Sequence, residues 1–190
     1  AAPPLLCLGT AQANLQQWDQ AESSFIGARD AAGADKPGAR AGLGEMAANA
    51  ALATGANDRA LALLDQALAD VRLNGDKALM AAIQTDRARA LVALQRMPDA
   101  AAALAEAREA APESAEAWLL SATLARRGGD LATAQTQIEK AAALQPLDPD
   151  TGLEAGVIAV LSGRDEAARK SWESVIATAP GTPQAQTAQG

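Results

Sequence analysis

Small and large apolar residues recur along this chain at helical spacing, with a longer period laid over them. In the stretch 115–148, Ala134, Ile138 and Ala141 stand at i, i+4 and i+7, and Pro146 follows. Thirty-four residues on, Ala168, Trp172, Val175 and Pro180 repeat the pattern; thirty-four residues back, Ala100, Leu104, Ala107 and Pro112 do so. Spacings of i, i+4 and i+7 put these side chains on one face of a helix. The small residue lets that helix lie close to its neighbour, and the large one fills the gap between successive pairs. The proline stops the helix, because it has no N–H to give and restricts the residue before it.

Two earlier stretches carry the same face, at Ala21, Phe25, Ala28 and at Ala60, Leu64, Ala67. The leading alanines, 21, 60, 100, 134 and 168, are separated by 39, 40, 34 and 34 residues. The extra residues fall around Gly33–Gly38, which reads as a loop, and Leu73–Asp76, which reads as a helix end and turn. The pattern predicts helices over 4–16, 19–32, 39–54, 57–73, 77–95, 98–111, 115–128, 131–144, 150–162 and 165–178. Asp130 and Asp165 are placed to cap helix starts. The expected organisation is one array over 1–182, with repeats of about 2–40, 41–80, 81–114, 115–148 and 149–182. Residues 183–190 read as a truncated cap helix or a disordered tail. The first residue is alanine, as expected of a processed or trimmed chain.

Composition agrees with an all-α reading. Hydrophobic residues make up 49% of the 190, yet aromatics only 2%, and alanine, the strongest helix former, supplies most of the rest. A net charge of −7 argues against nucleic acid, whose phosphates call for a basic face. No stretch of 18 apolar residues occurs, so no membrane insertion is expected. The chain has no histidine, which removes histidine-based triads and His-ligated metal sites. Its single cysteine, Cys7, sits in the run Leu5-Leu6-Cys7-Leu8 and reads as a small buried hydrophobe. Glycine-rich phosphate loops, Gly-x-Ser-x-Gly and HExxH are missing. Glu106, Glu109 and Glu113 lie along one helical stretch and read as a solvated face. Neither a cofactor nor a metal is expected, and the chain reads as a scaffold and not an enzyme.

The second-helix motif Ala-x3-large-x2-small-x4-Pro resembles that of the tetratricopeptide repeat family, over about residues 4–182. The first-helix motif is met in part: Trp118 stands at repeat position 4 and Leu8-Gly9 at positions 7 and 8, but no repeat has tyrosine at position 11. The resemblance implies a right-handed superhelical solenoid of five helix pairs, whose concave groove is lined by first helices. Family groove positions fall on Asn49, Arg89, Leu119, Thr123, Arg126, Arg127, Leu153, Val157 and Val160, among others. Leu153, Val157, Val160 and Leu161 form either a seat for a partner helix or peptide, or the packing face for a following helix. The three arginines either pair with a partner's carboxylates or with Asp86, Glu116 or Glu139 of the array itself. Some family members clamp C-terminal carboxylates with lysine, asparagine and arginine. The corresponding positions here hold Glu45, Asn49, Asp86, Glu116 and Leu120, and of these only the asparagine matches.

Trp118 and Trp172 fall at packing positions, and Trp18 begins the second helix of the first pair. The resulting expectation is a non-catalytic scaffold that binds a protein or peptide segment in its groove. The alternative is an accessory module of a larger assembly, such as a cell-envelope complex. The likeness to alanine-rich bacterial repeat proteins, some of them exported, favours the periplasm over the cytoplasm.

Overall fold

The computed structural model describes residues 2–189, with side chains from Pro4 onward. Among the described residues there are helices and no strands. They are α1 (Ala2–Asn14), α2 (Trp18–Ala31), α3 (Pro37–Ala53), α4 (Asn57–Asn74), α5 (Lys77–Ala93), α6 (Met97–Ala110), α7 (Ala115–Arg127), α8 (Leu131–Leu144), α9 (Pro149–Leu161), α10 (Asp165–Thr178) and α11 (Pro183–Gln189). The first ten match the expected helices, with ends shifted by two residues at most. Two compact bodies result, residues 1–111 and 112–190. The first holds the antiparallel hairpins α1–α2, α3–α4 and α5–α6; the second holds α7–α8, α9–α10 and the short α11.

The repeating face is the interior of each hairpin. Ala21, Ala60, Ala100 and Ala134 are fully buried, and Ala168 is 1% exposed. Four residues on, Phe25, Leu64, Leu104 and Ile138 are buried as well, while Trp172 is half-buried. Opposite them, the first helices offer a small residue: Gly9, Ala48, Ala88, Ala122 and Gly156, all buried. Two of these contacts require glycine. A Cβ on Gly9 would come 2.7 Å from Phe25 Cε1, and one on Gly156 would overlap the Trp172 indole. Small-to-large matching across the hairpin therefore sets its spacing.

The turns inside the hairpins share a left-handed residue. It is glycine at Gly55, Gly129 and Gly163, but glutamine at Gln16 (φ 57°) and Gln95 (φ 61°). A side chain there costs about 1–2 kcal/mol relative to right-handed backbone. At the helix starts, Asp76, Ser114, Asp130 and Asp148 each accept from the backbone N–H three residues on. The expected cap at Asp165 is not formed. Arg164 occupies the cap position of α10, and Asp165 is its first residue, where its charge still favours the helix N-terminus.

Hydrogen bonds from Thr133, side-chain and backbone, hold the exposed Asp130 carboxyl below the usual carboxylate range. Its folded pKa is thus lower than its unfolded one. The cap's contribution is present above the unfolded value and is lost as pH falls through the folded value. Asp130→Asn, which keeps an accepting oxygen without a titrating charge, is expected to flatten the acid limb of a melting-temperature-versus-pH curve.

Two expectations about side chains change. Cys7 is exposed, not buried. In α1 the residues turned to α2 are Gly9, which is buried, and Leu5, Leu6, Gln12 and Ala13, which are half-buried. Cys7, two residues from Gly9, is turned about 200° away on the helix. Glu106 is not a simple solvated carboxylate either. Its Oε2 accepts from Gln84 Nε2 at 2.5 Å and from Arg72 Nη2 at 3.1 Å. Gln84 is fully buried, and its carbonyl oxygen accepts from Arg87 Nη1 at 2.9 Å. Arg87 also pairs with Asp65 at 2.8 Å, so one polar chain ties α4, α5 and α6 together. Burying an amide without such partners costs several kcal/mol, at roughly 2–7.

Candidate functional site: the face of the first helices

First helices of successive hairpins touch one another at α3 with α5 in the first body and α7 with α9 in the second. Second helices of successive hairpins reach across through long side chains, as Arg29 of α2 to Gln66 of α4 at 2.6 Å and Arg72 of α4 to Glu106 of α6. First helices of successive hairpins thus approach one another more closely than the second helices do. The candidate residues lie on the first helices.

The N-terminal body carries Asn49 on α3 and Arg89 on α5. Asn49 is exposed. Arg89 is exposed too, but its Nη1 lies 2.5 Å from Asp86 Oδ1, one turn earlier, and Asp86 is 5% exposed. Thr85, beside it on the same helix, is also buried.

The C-terminal body carries the other seven. On α7, Leu119 is half-buried and packs against the cluster of Ala122, Ala134, Ile138, Ala141 and Ile158; Thr123 is half-buried. Arg126 Nε meets Glu154 Oε1 of α9 at 2.5 Å, and Nη2 lies 3.3 Å from Oε2. This fork is largely shielded, with side chains 22% and 13% exposed. Arg126 is therefore neutralised inside the protein by a residue that sequence reasoning missed. No local signal marks the pair: Glu154 lies 28 residues after Arg126, short of the 34-residue repeat, so the bond joins the end of α7 to the middle of α9. Arg127, the next residue, is exposed, and among the described residues it has no hydrogen-bond or ion-pair partner.

On α9, Leu153 and Val157 are half-buried, while Val160 and Leu161 are 42% and 53% exposed. Leu153 also fixes the tryptophan beneath it, its carbonyl accepting from Trp172 Nε1 at 3.3 Å. Val160 faces elsewhere: it lines a cleft of about 340 Å³ with Ala168, Trp172 and Ile176 of α10 and Ala188 of α11. Trp118 is also only half-buried, and its Nε1 donates to Pro112 O at 2.8 Å. Trp18 packs against the N-terminal core from the start of α2.

Among the described residues no three His, Cys, Asp or Glu side chains gather as a metal site would need. No helix is long and apolar enough to cross a membrane.

Tandem antiparallel helix hairpins with a small-on-large interface define the all-α proteins of the α–α superhelix class. Residues 85–149 and 119–185 match the tetratricopeptide repeat family, so that the matched region spans more than half of the chain. The chain belongs to the tetratricopeptide repeat family. No curated protein sequence matches it. Among solved structures, it is similar to TTC0263, a thermophilic TPR protein of Thermus thermophilus, at 19% identity and a TM-score of 0.75, covering 98% of this chain and 96% of that one. It is similar to YrrB, a TPR protein with an unusual peptide-binding site, at 19% identity and a TM-score of 0.67, covering 100% and 92%. BtubC from P. vanneervenii gives 19% identity and a TM-score of 0.79, covering 94% and 81%. At these identities the likeness concerns the fold. The family as a class consists of protein-interaction scaffolds, generally without catalytic activity.

Proposed function

We propose that this protein is a non-catalytic scaffold that holds a peptide or protein segment along the inner face of its first helices. The observation that carries this reading is the character of that face in the C-terminal body. Leu119, Leu153 and Val157 present part of their apolar surface there, and Arg127 stands exposed at the end of α7. A solvated helix face would carry charges at such positions. The peptide-binding site noted for YrrB supports the same use of the fold. Glu45, Asp86, Glu116 and Leu120 at the positions of the family's carboxylate clamp argue against that ligand mode.

The adjacent arginines separate binding from stability. Arg127→Glu is expected to weaken capture of the native partner, identified by co-purification and mass spectrometry, while leaving the helical melt unchanged. Arg126→Glu sets two carboxylates against each other and is expected to cost about 2 kcal/mol in stability. Retained binding by Arg127→Glu and by a Leu153→Asp variant that still folds would refute the assignment.

A further inference from the structure

The joint between α4 and α5 carries chemistry that the scaffold reading does not use. Asn74 is the last residue of α4 and Gly75 its cap. The chain has four asparagines, followed in turn by Leu15, Ala50, Asp58 and Gly75. Only at Asn74 does the next residue lack a side chain to shield its amide nitrogen. Asn74 and Gly75 are both exposed, and Gly75 takes the left-handed conformation, with φ 76° and ψ 13°.

We propose that Asn74-Gly75 is a site of spontaneous succinimide formation, which converts residue 74 to isoaspartate and aspartate. The Gly75 amide nitrogen gives up its proton and attacks Asn74 Cγ. The N–Cγ bond forms, the Cγ–Nδ2 bond breaks, and ammonia leaves with one added proton. Water then opens the imide. Cleavage at the former backbone carbonyl leaves isoaspartate, and cleavage at the former side-chain carbonyl leaves aspartate. No electron is gained or lost by the chain.

The fold gates this reaction. Gly75 N–H donates to Val71 O at 2.8 Å, which closes the last turn of α4. The Asn74 side chain lies against the bare Cα of Gly38, where an added Cβ would come 2.9 Å from Asn74 Cγ. Attack requires both restraints to open, so the rate reports fraying of the α4 terminus. The product acts on the same joint. A carboxylate at residue 74 falls at the negative end of the α4 dipole, four residues after Asp70, which pairs with Arg40 of α3 at 3.3 Å. Isoaspartate also lengthens the backbone just before Asp76, the cap of α5, whose side chain accepts from Leu79 N–H.

The test is incubation of the full chain in mildly alkaline buffer, folded and in urea, followed by peptide mapping with isoaspartate-resolving mass spectrometry. Residue 74 is expected to convert in both states, several-fold faster in urea. Asn14, Asn49 and Asn57 should remain amides over that time, and Asn74→Gln should give no conversion. Two results would overturn the proposal: an intact Asn74 in the folded protein after the unfolded chain has fully converted, or equal conversion at Asn57.

Discussion

Leu64→Ala is expected to lower the stability of the N-terminal body by about 2–5 kcal/mol. Leu64 is fully buried at the large position of α4. It belongs to a core cluster in which many alanines stand with Phe25, Leu63, Leu68, Val71 and Ile83. How far those larger side chains can rotate into the gap sets where in the range the loss falls. Urea denaturation followed by circular dichroism measures it, and Leu73→Ala is the control, since Leu73 is 78% exposed on the same helix. A small loss at Leu64 would mean that the hairpin closes up around the gap.

The second large effect has the opposite sign in volume. Ala134→Leu should cost about 1–3 kcal/mol, because three added carbons have no space between α7 and α8. Ala134 is fully buried in the C-terminal core with Ala122, Ile138 and Ile158. Leucine is nearly as good a helix former as alanine, so propensity contributes little to the change. Ala143→Leu, exposed on the same helix, should leave the melting temperature where it was. If both variants melt alike, the register of α8 is wrong.

Both variants test a register that was legible before the fold was seen. Ala21, Ala60, Ala100, Ala134 and Ala168 were aligned by spacing, and all five are buried. The reason is local: a helix that must lie against its partner repeats a small residue where the two approach. What stayed hidden depends on the offset between hairpins. Nothing in the run Gln84-Thr85-Asp86 says that three polar residues on one helix are buried, since their partners come in part from other helices, as Glu106 does for Gln84. Arg126 pairs within the array, one of the two alternatives open from sequence, but its partner is Glu154 on the next first helix and not Asp86, Glu116 or Glu139. Cys7 was misplaced because an apolar run does not reveal which side of a helix is covered. Of the nine candidate groove residues, sequence placed all on first helices. It did not show that Leu119 leans into the core or that Val160 lines a separate cleft.

The alanine-walled interior has a thermal consequence. An interior in which most buried apolar residues are alanine exposes less apolar surface per residue on unfolding than one built mainly of leucine and phenylalanine. The heat-capacity increment of unfolding follows that apolar area, and globular proteins average about 12–15 cal/mol/K per residue. This chain should fall below that range. Its stability then varies little across ordinary temperatures, and the protein resists cold while gaining less from its interior at the optimum.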